Sequence, residues 1–315
     1  MKTSISEFRH IPLVAAVVVM GATAPSAPAH TTSATEAPVA KAPVAIDSTR
    51  STRVWIRDTL AGKSGKLWMK LLTAQPGDTT GILARLFGDS AIRNPGVYEA
   101  RDAASSTAFQ FVHLVPFSEK KRGMIGTYRM GSWPAERQQV SDRYGNPAGF
   151  IEVTPDNQNT RISEHFRLRD FLTKDQTNVW PKYLVLQESL IDKLELVIDA
   201  LNARGMRVSR MSVMSGFRTP QYNDRGVGAG GRASNSRHQY GDAADVYVDN
   251  DGNGGMDDLN GDGRVNTNDA RFLAQIVEDV ERAHPDLVGG VGIYAANSAH
   301  GPFVHVDVRG TKARW

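Results

Sequence analysis

The most regular apolar pattern in the chain runs through Leu190, Ile191, Leu194, Val197, Ile198 and Leu201, whose three- and four-residue intervals put them on one helical face. Gly205 follows where such a helix would stop. A second helix is predicted from about Asn268 to Ala283, with Phe272, Leu273, Ile276, Val277 and Val280 turned toward a core. Elsewhere the pattern changes to alternation. Val208 to Met214 reads as a strand that delivers the chain to the loop Ser215-Gly216-Phe217-Arg218-Thr219-Pro220. In Ala243 to Asp249, residues Ala244, Val246 and Val248 share one face while Asp245 and Tyr247 take the other. In Phe303 to Val308, Val304, Val306 and Val308 face one way, and Phe303, His305 and Asp307 the other. The expected class is α+β: an antiparallel sheet with flanking helices, occupying 156–315.

Upstream, the apolar runs are shorter and broken by turn formers. Leu67 to Leu72 precedes Pro76-Gly77-Asp78, and Phe109 to Val115 is another run. They predict a small, mainly β module over 47–155, with no dense cluster of His, Asp or Glu to suggest its role. The stretch from His30 to Ile46 is rich in Ala, Pro, Thr and Ser and reads as a disordered linker.

Residues 1–29 carry the pattern of an export signal: basic Lys2 and Arg9, a largely apolar run from Ile11 to Met20, and small residues at Ala27-Pro28-Ala29, with Ala22-Thr23-Ala24 as a competing cleavage site. The expected location is periplasmic or secreted. No later segment reaches the roughly 20 apolar residues of a membrane span, so no integral membrane segment is expected after signal removal.

The chain has 315 residues, 40% of them hydrophobic, enough for one substantial core and a smaller one. Its formal net charge is +3, and Lys and Arg are scattered rather than gathered, so no nucleic-acid partner is expected. There is no cysteine, which excludes disulfides, a thiol nucleophile and a lipid anchor through cysteine, and leaves any transition-metal site to His and carboxylates.

His238 and Asp245 stand seven apart, with Gly241 and Ala243 between them where bulk would crowd a metal cleft. Such a spacing equally describes a solvated pair. The surrounding residues carry more: Ser236-Arg237-His238-Gln239-Tyr240-Gly241-Asp242-Ala243-Ala244-Asp245 fits Ser-x-His-x-x-Gly-x-Ala-x-Asp. This resembles the zinc D-alanyl-D-alanine peptidases, a superfamily shared with lysostaphin-type endopeptidases and the hedgehog domain. The loop Ser215 to Asn223 is similar to its arginine-bearing loop. Gly292-Ile293-Tyr294 and Phe303-Val304-His305-Val306-Asp307 look like the ending of its periplasmic murein endopeptidase branch.

The resemblance spans 161–315 and implies zinc held by His238, Asp245 and His305 with a fourth position for water. It implies a peptidoglycan hydrolase, either D,D-carboxypeptidase or murein endopeptidase, and a substrate or oxyanion contact from Arg218. Arg218 equally suits a structural ion pair, and Ser236 is either a substrate contact or a turn residue. One departure concerns the general base. The carboxypeptidase branch has Glu three residues before the last histidine ligand, where this chain has Pro302; some relatives use a histidine where this chain has Phe303. Asp307 and His300 remain as candidates, Asp307 also suiting an imidazole-orienting role.

A further motif lies between the ligands, in 249–269. Asp258, Asn260, Asp262, the Arg264 carbonyl, Asn266 and Asp269 match a twelve-residue calcium loop with Gly263 at its sharp turn and Asp in place of the usual final Glu. Asp249-Asn250-Asp251-Gly252-Asn253-Gly254 is a fragmentary second copy. Structural calcium is expected, and a monomer. The rival functions are a non-catalytic zinc-containing cell-wall binding protein, which Pro302 favours, and a calcium-dependent adhesion module.

Overall fold

The computed structural model describes residues 44–46, 60–73, 81–102, 107–228 and 231–315. The export signal read over 1–29 lies outside the described residues, as does the linker up to residue 43. Val44–Ile46, expected at the end of that linker, form a strand, β1, that pairs in parallel with residues 100–102. Val and Ile are strand formers, and an open sheet edge gives them backbone partners.

In chain order there follow β2 (Met69–Leu72), α1 (Ile82–Phe87), α2 (Asp89–Arg93), β3 (Gly96–Asp102) and β4 (Ala108–His113). The four strands form one sheet in the order β1-β3-β4-β2. Next come β5 (Val115–Pro116), the hairpin β6 (Met124–Ile125) and β7 (Tyr128–Arg129), then β8 (Gly149–Val153) and β9 (Lys182–Leu184), with β5-β8-β9 as a small antiparallel sheet. The last part holds α3 (Glu188–Ala203), β10 (Met211–Ser215), α4 (Pro220–Asp224), β11 (Ala243–Val248), α5 (Thr267–Ala283), β12 (Gly290–Tyr294), β13 (Phe303–Asp307) and β14 (Ala313–Arg314). Its sheet runs β10-β11-β13-β12-β14, antiparallel except for the last pair. The architecture is mixed α+β with small sheets and few helices.

Both predicted helices are present. The strand expected from Val208 starts only at Met211, because side chains claim the backbone before it: Asn202 Oδ1 accepts from Val208 N at 2.6 Å, and Asn250 Oδ1 from Ser209 N at 2.8 Å. Helix α3 is more than the one-sided core helix that its apolar stripe predicts, since Asp192, Lys193 and Glu195 on its other side are also buried. Asp192 accepts from the backbone of Lys63 and Ser64, Glu195 from His165, and Lys193 donates to Glu281 and to the Asp307 carbonyl.

One hydrophobic core runs across residue 155, the expected module boundary: Leu67, Met69, Val112, Phe150 and Ile151 belong to the same cluster as Leu190, Leu194, Val246, Ile276 and Val306. A smaller cluster around Leu60, Leu83, Tyr98 and Phe111 lies under α1 and α2. On the last sheet, Ala244, Val246, Val248, Val304 and Val306 turn to this core, which leaves Asp245 and His305 together on the opposite face.

Candidate metal centre

Strands β11 and β13 pair with Asp245 directly opposite His305. Residues opposite one another in an antiparallel pair project to the same face with Cβ atoms roughly 5 Å apart, so the register alone brings these two side chains together. His238 comes from a short 3-10 turn, Arg237–Tyr240, that leads into β11. Several contacts hold that turn. Arg237 is clamped on the Asp242 carboxylate and between the rings of Tyr144 and Tyr240, Trp133 Nε1 donates to the Gln239 carbonyl at 2.9 Å, and Arg218 N donates to the His238 carbonyl at 3.1 Å.

Gly241 ends the turn with φ of +68°, and a Cβ there would meet the Val185 carbonyl oxygen at 2.3 Å. Its lack of a side chain thus serves the left-handed turn and the close passage of 185–186. The room expected here for a metal cleft is not the reason.

The three side chains converge. His238 Nε2 lies 3.1 Å from His305 Nδ1 and 3.2 Å from Asp245 Oδ1, and His305 Nδ1 lies 3.0 Å from Asp245 Oδ1. All three residues are buried. The other ring nitrogens are committed elsewhere: His238 Nδ1 faces the Gly216 carbonyl at 2.7 Å and His305 Nε2 faces Asp307 Oδ2 at 3.0 Å. Both partners accept, so those nitrogens carry the protons of the neutral rings and leave two lone pairs and a carboxylate oxygen aimed at one point. Such a triangle needs a cation or an extra proton at its centre. Tetrahedral bonds of about 2.0–2.1 Å to zinc would set ligand atoms roughly 3.3 Å apart, close to the 3.0–3.2 Å here.

Burial, opposed by Asp245, lowers the pKa of His238. Burial would also lower His305, but hydrogen bonds to Asp245 and Asp307 raise it. Burial would raise Asp245, yet the two imidazoles hold it well below the usual carboxylate range.

Arg218 is half-buried and engaged. Its Nε donates to Ser215 Oγ at 2.8 Å and its NH2 group to Asp245 Oδ2, so it grips the oxygen of Asp245 that faces away from the two imidazoles. Ser236 is buried before the 3-10 turn, and its hydroxyl makes no hydrogen bond among the described residues. Asp307 is fully buried and accepts from His305, Gly290 N and Arg309, with the His305 and Arg309 bonds outweighing burial to hold it far below an ordinary carboxylate. His300 is turned onto its own loop, one ring nitrogen facing Asn297 Nδ2 and the other the Gly301 carbonyl, each at 2.8 Å.

The loop at 258–269 is wound on its own side chains. Asp258 accepts from Gly261 N and Gly263 N, Asn260 from Asp262 N, and Asp262 from Arg264 N. Asn266 caps α5 through Asn268 N. Asp269, fully buried, accepts from Leu259, Asn260 and Asn266, which ties the loop to the first turn of α5. The carboxylates brought within 4.8 Å of one another nearby are those of Asp249, Asp251 and Asp257. Asp249 and Asp251 fall in the fragmentary repeat; Asp257 carried no signal in the sequence.

Comparison with protein-family models, with curated proteins and with solved structures finds no match for this chain. Among the described residues no helix is long and apolar enough to cross a membrane.

Proposed function

We propose that His238, Asp245 and His305 hold zinc and that the chain is a zinc peptidase hydrolysing amide bonds in peptidoglycan stem peptides or cross-links. The observation that carries the metal is the triangle of three acceptor atoms 3.0–3.2 Å apart whose imidazole protons are spent on Gly216 and Asp307. The substrate class rests on the motif resemblance, and the export signal read over 1–29 is consistent with a periplasmic or secreted enzyme. When bound, zinc supplies a Lewis acid that activates water and polarises a carbonyl. The protein's own part is orientation. Gly216 and Asp307 fix which nitrogen each imidazole presents, and Arg218 fixes Asp245. The 258–269 loop is proposed to take calcium as a structural ion.

A second reading, a zinc-containing wall-binding protein without chemistry, draws on one observation: Pro302 stands at the position of the family base, while Asp307 and His300 both have their polar atoms engaged. Mass spectrometry of cell-wall fragments incubated with the zinc-loaded protein separates the two. Amide cleavage is expected, with about one zinc per chain, and His238→Ala and His305→Ala should each lose metal and cleavage together. Unchanged zinc in both variants would sink the metal assignment; zinc without cleavage would leave the binding protein.

A further inference from the structure

Beside His305 the same sheet face carries a second assembly of side chains. Strand β12 pairs with β13 so that Gly292 lies opposite His305 and Tyr294 opposite Phe303, which places Tyr294 on the face that holds Asp245 and His305. Tyr294 lies flat on Phe303, with ring centroids 4.5 Å apart and planes at 5°. Trp315 is bound to β12 through its backbone, Ile293 N donating to its carbonyl at 2.9 Å. Its indole fills the space over Gly292, where a Cβ would sit 2.4 Å from Nε1, and its ring lies 5.2 Å from that of His305. Trp315 Nε1 donates to the Tyr294 hydroxyl at 2.7 Å. The phenol oxygen is therefore held by the indole that covers Gly292, the register partner of a triad residue.

The direction of that hydrogen bond matters. An indole N–H only donates, so Tyr294 is the acceptor, and its own O–H must point elsewhere. No acceptor for it exists among the described residues. Tyr294 is only partly buried and Trp315 is 49% exposed, so this wall of the centre is open to an arriving molecule. Arg218, the donor that the sequence offers for this task, is tied to Asp245 and Ser215.

We infer that Tyr294, held in place by the Trp315 indole, is the hydrogen-bond donor to the carbonyl oxygen of a substrate amide as that oxygen gains negative charge, and that Trp315 is its positioning residue. The inference rests on the zinc peptidase reading. No covalent bond forms to the tyrosine. Its proton is shared with the oxygen as charge develops and returns when the carbonyl re-forms, so the phenol is unchanged over the cycle. A donor aimed at such an oxygen typically contributes about 10²- to 10³-fold in kcat.

The test uses the zinc-loaded full chain and the variants Tyr294→Phe, Trp315→Phe and the double variant. Zinc content, cleavage of peptidoglycan fragments, and binding of a phosphinate analogue of D-alanyl-D-alanine are measured for each. Tyr294→Phe should keep its zinc, lose about 10²- to 10³-fold in kcat with little change in KM, and bind the phosphinate more weakly. Trp315→Phe should lose less. The double variant should be no worse than Tyr294→Phe, because an indole that acts only by holding the hydroxyl has nothing left to hold. Tyr294→Phe with cleavage within about threefold of the parent and unchanged phosphinate binding overturns the inference, as do fully additive losses in the double variant for the role of Trp315. Should the parent cleave nothing, the peptidase reading fails by itself, and phosphinate binding still decides whether Tyr294 donates at this centre.

Discussion

At Asp307 the sequence leaves two roles open, proton acceptor or orienting partner, and its surroundings separate them. Its carboxylate already accepts from His305 Nε2, the Gly290 amide and Arg309, and a group so supplied with donors takes up a proton poorly. Asp307→Asn keeps an acceptor for the imidazole but loses the charge, so zinc affinity should fall about 10- to 100-fold as measured by competition with a chelator. Near-parent zinc affinity with turnover lost instead would restore it as the base. The three triad residues were legible because the motif resemblance pointed to all of them, and strand alternation separately put Asp245 and His305 on polar faces. Nothing in the sequence pattern gives Tyr294 a role beyond its place in the motif Gly292-Ile293-Tyr294, and nothing marks Trp315. Their meaning depends on the pairing of β12 with β13 and on an indole laid over a glycine, neither of which leaves a periodic trace.

Among the elements, α3 teaches how much an amphipathic stripe conceals. Its apolar face predicted the helix correctly, yet Asp192, Lys193 and Glu195 are buried against segments up to 129 residues away in sequence. Glu195 holds the His165 ring at 2.7 Å, and this bond, opposed by burial, raises the pKa of His165. A raised folded value means the contribution is complete below the unfolded value of about 6.5 and is lost as pH rises through the folded one. In denaturant unfolding, the stability gap between the parent and His165→Gln should therefore be widest near pH 6 and shrink as pH is raised. A gap that grows with pH would refute the assignment. The 258–269 motif was readable because its residues are local and fixed in spacing, whereas the cluster of Asp249, Asp251 and Asp257 depends on how the chain leaves β11. An ion bound only by the folded loop stabilises by mass action, about 2.7 kcal/mol at a hundredfold excess over Kd. Calcium should accordingly raise Tm in the parent, and Asp262→Ala should abolish the rise while keeping zinc. Equal protection of both proteins would remove this loop as the site.

On the scale of the molecule, the α+β class was legible from alternation and helical period, but the continuity of the core across residue 155 was not, because short apolar runs do not disclose which other runs they pack against. The same long-range character governs the triad. His238 and Asp245 are 67 and 60 residues from His305, and they meet it only through the pairing of β11 with β13. Contacts so distant in sequence require a large loop to close before they return any free energy, so they are expected to form late in folding. A cation seated among them would therefore leave the folding rate nearly unchanged and slow the unfolding rate, acting as a brake on departure from the native state. The twelve residues from Asp258 to Asp269 need no such closure, so an ion there could already be held while the sheet is still assembling.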